Sequence, residues 1–207
     1  MLFPPRCPLC DEPVERGRTG FCKECSGKWK PEVHFISGEG HKFAEGAFLC
    51  KYEEAALAMY RFKYGGRREY GKVFGRQMAC EMKYLLQEWG ADGIVPIPLH
   101  PRRIRKRGYN QAQVLASALG EQAGIPVYTN LLERCRDTAP QKELNALERQ
   151  NNLKKAFKIY KNDVKLSTII IVDDIYTTGT TVDEAASVLL AGSVKKVYVL
   201  TLASGMG

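Results

Sequence analysis

Residues 169–181 read IIIVDDIYTTGTT, and no other stretch of the chain restricts its fold as tightly. Thr168 to Val172 is uniformly β-branched. That composition suits a strand buried on both faces. The spacing predicts a helix from Thr181 to Leu190, closed by Gly192. A buried strand running through a tight turn into a helix is the unit of a parallel α/β sheet.

The turn itself carries chemistry. With the strand ending at Val172, Asp173 and Asp174 emerge at its C-terminal edge. Ligands of open α/β sheets bind at that edge. Two adjacent carboxylates repel each other, and water, a metal or sugar hydroxyls relieve them. Thr177, Thr178, Gly179, Thr180 and Thr181 follow, entering the helix. Backbone N–H groups and hydroxyls at a helix N-terminus form an anion site. Carboxylates beside such a site match a sugar phosphate. The plainer alternative is a strand–turn–helix in which Asp and Thr serve only as caps.

The rest of the chain supports the same fold class. Helices are predicted from Ala55 to Phe62, ended by Gly65-Gly66, from Val73 to Trp89, and from Asn110 to Leu119, closed by Gly120. Short strands are predicted at Ile94–Ile97, Val127–Leu132, Phe157–Tyr160 and Lys196–Thr201. Residues 133–155 are polar and basic, and resemble a loop. The first residues carry no secretory pattern and no run spans a bilayer, so the protein is read as cytoplasmic, with no membrane insertion.

Residues 1–45 differ from the rest of the chain. They are rich in Cys, Gly and Pro, and too few to build their own core. Cys7-x-x-Cys10 and Cys22-x-x-Cys25 stand 11 residues apart. Two such knuckles read as a structural Zn²⁺ site with four thiolates and no open position. The chain is thus expected to divide into a zinc-ribbon domain, 1–45, and an α/β domain, 46–207. Cys50, Cys80 and Cys135 are read as buried or incidental.

The formal charge of +8 lies wholly in residues 46–207, because residues 1–45 are neutral. Residues 61–76 carry +5, and Arg102, Arg103, Arg105, Lys106 and Arg107 carry another +5. Such fields attract polyanions, phosphorylated metabolites or nucleic acid alike.

The segment 169–181 closely resembles the phosphoribosyl pyrophosphate (PRPP) signature of type I phosphoribosyltransferases. The resemblance implies that Asp173 and Asp174, the catalytic pair, hold ribose hydroxyls, and that Thr177, Thr178, Gly179, Thr180 and Thr181 hold the 5′-phosphate, with Mg²⁺ accompanying PRPP. Two further segments look like the ComF competence proteins: VPIPLHPRRIRKRGYNQA from Val95, and R-x-R-x-T-x-x-Q from Arg134. By that resemblance Pro96, Ile97 and Pro98 form a pyrophosphate loop, with Arg103 and Arg107 screening the diphosphate. Residues 134–155 form a hood, from which Arg134 and Arg136 either reach the ligand or stay solvated. Tyr109 either stacks on a base or packs.

The fold expected is therefore α/β, a type I phosphoribosyltransferase-like parallel sheet flanked by helices, with a small four-cysteine zinc ribbon in front. The function implied is a ComF-type role in natural transformation: PRPP binding and handling of single-stranded DNA beside a helicase-type partner. Tyr52, Tyr60, Phe62 and Tyr64 either stack on bases or, at their helical spacing, belong to the core. Two other readings stand beside it: a Mg²⁺-dependent phosphoribosyltransferase of nucleotide metabolism, releasing pyrophosphate, and a PRPP sensor without turnover.

Overall fold

The computed structural model describes residues 4–15, 20–135, 156–160 and 164–205. Its centre is a five-stranded sheet in the order β1-β2-β7-β6-β3. The strands are β1 (His34–Ser37), β2 (Glu45–Lys51), β3 (Gly93–Pro96), β6 (Thr168–Tyr176) and β7 (Lys196–Ser204). Only β1 runs antiparallel to its neighbour; β2, β7, β6 and β3 are parallel. A separate ribbon pairs β4 (Leu132–Arg134) with β5 (Phe157–Ile159).

The β-branched run behaves as its composition demands. Ile170 and Val172 point into one apolar cluster, Ile169 and Ile171 into the other, and all four are fully buried. Each such side chain contributes about 1.5–3 kcal/mol by leaving water. On the first face pack α2 (Tyr52–Tyr64), α3 (Arg68–Glu81), α4 (Lys83–Trp89) and α6 (Gln111–Ala123); on the second packs α7 (Thr180–Ala191). Among the described residues the remaining helices are α1 (Lys23–Lys28) and α5 (Pro101–Arg107). No helix among the described residues is long and apolar enough to cross a membrane.

Several elements differ from the expectation. The helix predicted over 73–89 begins earlier and bends at Met82, whose φ of −98° and ψ of 16° separate α3 from α4. Hydrogen bonds from Met82 N to Met78 and from Leu86 N to Met82 carry across the bend. Gly120 does not close α6. It lies inside the helix, where a Cβ would stand 2.4 Å from Val127 Cγ2; Gly124, at φ 73°, is the cap. Val127 makes one bridge to Ile94, and regular pairing resumes only at Leu132. α5 falls in a stretch for which no helix is predicted, although Pro101 at its first turn and left-handed Gly108 at its end are ordinary helix limits. The β1–β2 hairpin is likewise unpredicted. β1 precedes residue 45, yet its hydrogen bonds run to the main sheet.

The four cysteines of the N-terminal segment converge, their sulfurs all within 4.8 Å of one another. Cys10 Sγ and Cys22 Sγ stand 3.7 Å apart. Tetrahedral zinc with ~2.3 Å Zn–S bonds needs about this sulfur spacing, whereas a disulfide needs ~2 Å. Cys25 N–H donates to Cys22 Sγ, which favours the thiolate form that a metal ligand needs. The site fits structural zinc. The ribbon docks through Phe21 and Trp29, whose rings pack against Phe74 of α3 at 6.0 and 6.4 Å. Asp11, in the left-handed region at φ 65°, extends the first knuckle to α3: Tyr70 OH and Arg67 Nη2 both donate to its carboxylate.

Candidate functional site

β6 does not stop at Val172. It continues to Tyr176, because β7 pairs with it as far as Ser204. On the other side the acid pair runs past its neighbour, because β3 ends at Pro96 opposite Val172. One further hydrogen bond, from Ile97 N–H to Val172 O, closes the ladder on this side. Asp173 and Asp174 therefore sit inside a strand but beyond the end of its neighbour, at the C-terminal edge of the sheet.

The two carboxylates have different surroundings. Asp173 Oδ1 accepts from Asp174 N–H at 2.8 Å. Burial first, and then the charge of Asp174, hold the Asp173 carboxyl well above the ordinary carboxylate range. That amide bond and the charges of Lys63 and Arg134 oppose the rise. Asp174 Oδ1 pairs with Lys63 Nζ, from the last turn of α2, at 3.0 Å. Arg134 of β4 thus lies close enough for its charge to be felt at Asp173, and its guanidinium covers the Phe157 ring at 5.4 Å. Arg136 lies outside the described residues.

The threonine turn stands next to the acids. Asp173, Ile175, Tyr176, Thr177, Gly179, Thr181 and Val182 line one concavity. Thr177 and Thr178 are exposed, and Thr178 Oγ1 lies 2.7 Å from Thr180 Oγ1. Gly179 precedes α7 at φ 74°, a conformation that L side chains rarely adopt. A Cβ there would approach Tyr176 OH at 2.6 Å and His41 Cε1 at 2.8 Å. Gly179→Ala is expected to cost about 1–3 kcal/mol of stability, read by denaturant unfolding; an unchanged midpoint would show that the turn is not held as described.

His41 had no assigned role in the sequence. It comes from the β1–β2 connection, and its Nδ1 lies 2.6 Å from Asp183 Oδ2. Lys42 N–H donates to Asp183 Oδ1 at 2.8 Å. Asp183 stands in the first turn of α7, where a carboxylate would oppose an incoming anion. The β1–β2 connection thus engages both oxygens of that carboxylate. No sequence signal marks a pair separated by 142 positions.

The Pro96-Ile97-Pro98 segment reaches the same edge. Ile97 N–H donates to Val172 O at 2.9 Å, and Asn110 Nδ2 donates to Ile97 O at 2.9 Å. Of the two arginines expected beside it, Arg107 donates to Gln111 Oε1 at 3.0 Å and covers the Tyr64 ring at 5.2 Å. Arg103 stands half-buried on α5. Tyr109 is a packing residue, its hydroxyl donating to Phe62 O.

The basic stretches meet where Arg107 covers Tyr64. Around that contact Tyr60 and Tyr64 are 61% and 58% exposed, with rings 5.4 Å apart. Phe62 is fully buried and Tyr52 packs against the core, so neither offers a face to a base. Several cations of the 61–76 stretch are occupied within the protein: Arg61 on Leu9 O, Lys63 on Asp174, Arg67 on Asp11 and Arg76 beside Glu121.

Acid pair, threonine turn and parallel sheet together define a phosphoribosyltransferase-type domain behind a zinc ribbon. Two family models agree: a phosphoribosyl transferase domain over residues 104–207 and a double zinc ribbon domain over residues 1–39. Competence protein F of Haemophilus influenzae is 27% identical, over 96% of both chains. The DNA utilization protein YhgH of Salmonella typhimurium is 29% identical, over 98% of both. Competence protein ComFC of Streptococcus pneumoniae is 32% identical, over 95% of this chain and 86% of its own. The chain belongs to this ComF family of competence proteins.

Proposed function

We propose that the protein binds PRPP with Mg²⁺ at the acid pair and threonine turn, and handles single-stranded DNA in a competence role. The observation that carries the first part is the adjacency of Asp173 and Asp174 to the turn that opens α7, beyond the end of β3. In this reading the two carboxylates accept the ribose hydroxyls and Mg²⁺ neutralises the diphosphate. Thr177 to Thr181 offer hydroxyls and N–H groups to the 5′-phosphate. Pro96 to Pro98 flank the diphosphate, and Arg103, Arg107, Arg134 and Arg136 supply positive charge around it. The sheet from β1 onward acts as the ligand domain and the Cys-rich segment before it as the ribbon.

The DNA part rests on the surface where Tyr60, Tyr64 and Arg107 meet beside basic α5. Exposed rings among cations suit stacked bases and a phosphate backbone. Family membership supports the competence role, with a helicase-type protein as partner. Turnover is distinguished from binding by pyrophosphate release.

The test has two arms. Calorimetric titration of Mg²⁺–PRPP into the whole protein should give saturable binding. Anisotropy of a labelled oligothymidine should show affinity falling with salt, by a log–log slope of about −0.7 per phosphate contacted. Tyr60→Ala, at the exposed ring that does not touch Arg107, should weaken DNA binding by about 1–3 kcal/mol without changing PRPP affinity. Absence of PRPP binding removes the first part, and salt-independent or absent DNA binding removes the second.

A further inference from the structure

Lys63 stands in the ligand site although neither the acid–threonine motif nor the match over residues 104–207 includes it. Its ammonium lies 3.0 Å from Asp174 Oδ1, with the two side chains only 17% and 13% exposed. An ion pair this sheltered differs from a surface pair of little consequence. Breaking it without replacement strands a charge away from water.

The backbone around Lys63 is anchored. Two residues earlier, Arg61 Nη1 donates to Leu9 O of the first zinc knuckle at 3.3 Å. Past the Gly65-Gly66 corner, Arg67 and Tyr70 hold Asp11 of the same knuckle. The Cα of Lys63 is therefore fixed, while its ammonium rides a flexible four-carbon stem.

Charge bookkeeping at the site then suggests an exchange. Two carboxylates face one ammonium, and Arg134 adds charge from β4. A sugar diphosphate arriving with a divalent cation brings positive charge to the carboxylates and anionic oxygens close by. The ammonium is then no longer needed on Asp174, and has a new partner within reach of its stem.

We propose that Lys63 is a ligand-binding residue that changes partner, from Asp174 in the ligand-free protein to an anionic phosphate oxygen when the site fills. This rests on the sugar-phosphate reading above. It differs from a merely structural role, in which Lys63 bolts α2 to β6.

The experiment titrates the zinc-loaded full chain with Mg²⁺ alone, and with PRPP in saturating Mg²⁺, using wild type, Lys63→Met and Lys63→Arg, with thermal melts alongside. Lys63→Met is expected to bind PRPP about tenfold or more weakly, as befits a lost charge-assisted contact. It should bind Mg²⁺ alone more tightly, because Asp174 has lost its competitor. Lys63→Arg should recover most of the PRPP affinity. If Lys63→Met melts too low to titrate, Lys63→Gln, which keeps a hydrogen bond to Asp174, gives the same comparison. Normal PRPP binding by both wild type and the neutral variant overturns the proposal and leaves the sugar-phosphate reading intact. Mg²⁺ and PRPP affinities falling together with the melting temperature indicate a bolt, and overturn it too. A wild type that does not bind PRPP overturns the reading and the proposal with it.

Discussion

Asp173→Asn is expected to melt at a higher temperature than wild type while binding the proposed sugar phosphate about tenfold to a hundredfold more weakly. Burial and the neighbouring Asp174 charge hold the Asp173 carboxyl above its ordinary range. The native state therefore retains this proton more tightly than the unfolded chain does. The stability so linked is full below the ordinary carboxylate range and is lost as pH rises through the native value. At neutral pH the ionised side chain opposes folding, and the amide relieves it by on the order of 1 kcal/mol, a few degrees in melting temperature. The advantage should shrink as pH falls, because wild type then carries a neutral side chain as well.

Ligand affinity moves the other way. Sugar hydroxyls donate to a carboxylate, so binding should strengthen as pH rises and Asp173 ionises. Each hydrogen bond to a charged group contributes about 1.5–3 kcal/mol, enough for a loss of tenfold to a hundredfold on substitution. Asp174→Asn should lose affinity likewise but should lower the melting temperature, since it strands Lys63. Thermal melts from pH 5 to 8 beside calorimetry check all of this. A destabilised Asp173→Asn would mean that the acid pair is not strained as its surroundings imply.

Metal removal should have the other large effect. Apparent zinc-binding energies of about 10–16 kcal/mol in small Cys sites are folding energy, because no formed site exists without the metal. The ribbon's own apolar side chains, chiefly Phe21 and Trp29 against Phe74, cannot replace that. Chelation, or Cys22→Ser, should release one zinc, visible by native mass spectrometry. Trp29 should become wetter and its fluorescence shift to longer wavelength. Trp89, stacked on Tyr198 at 4.3 Å in the main core, should stay unchanged and serves as the internal reference. A metal-free protein with unaltered Trp29 emission would rule out zinc as the ribbon's support.

What the sequence disclosed was local chemistry. Thr168 to Val172 and the turn to Thr181 were legible because strand, bend and helix are specified by adjacent residues. The cysteine cluster was legible because its spacing is its mechanism. The hairpin was not, since β1 and β2 lie in a Cys- and Gly-rich background whose short strands show little period. The continuation of β6 past Val172 depends on β7, whose pairing no local signal announces. Lys63 and His41 were missed for the same reason: each gains its partner from an element more than a hundred residues away. α5 is the exception, because Pro101 and Gly108 were there to be read.

The position of β7 has a consequence for how the chain is made. It follows the other described strands in sequence, yet it sits between β2 and β6 at the middle of the sheet. The contact of Cys50 with Leu202 spans 152 positions. During synthesis β1–β2 and β3–β6 are therefore two unjoined fragments, each presenting an apolar, unpaired edge. Contacts of such sequence separation form slowly, and exposed edges meanwhile invite association with other chains. The nascent protein must pass through a sticky interval that ends only when residues 196–204 leave the ribosome and lock its two halves together.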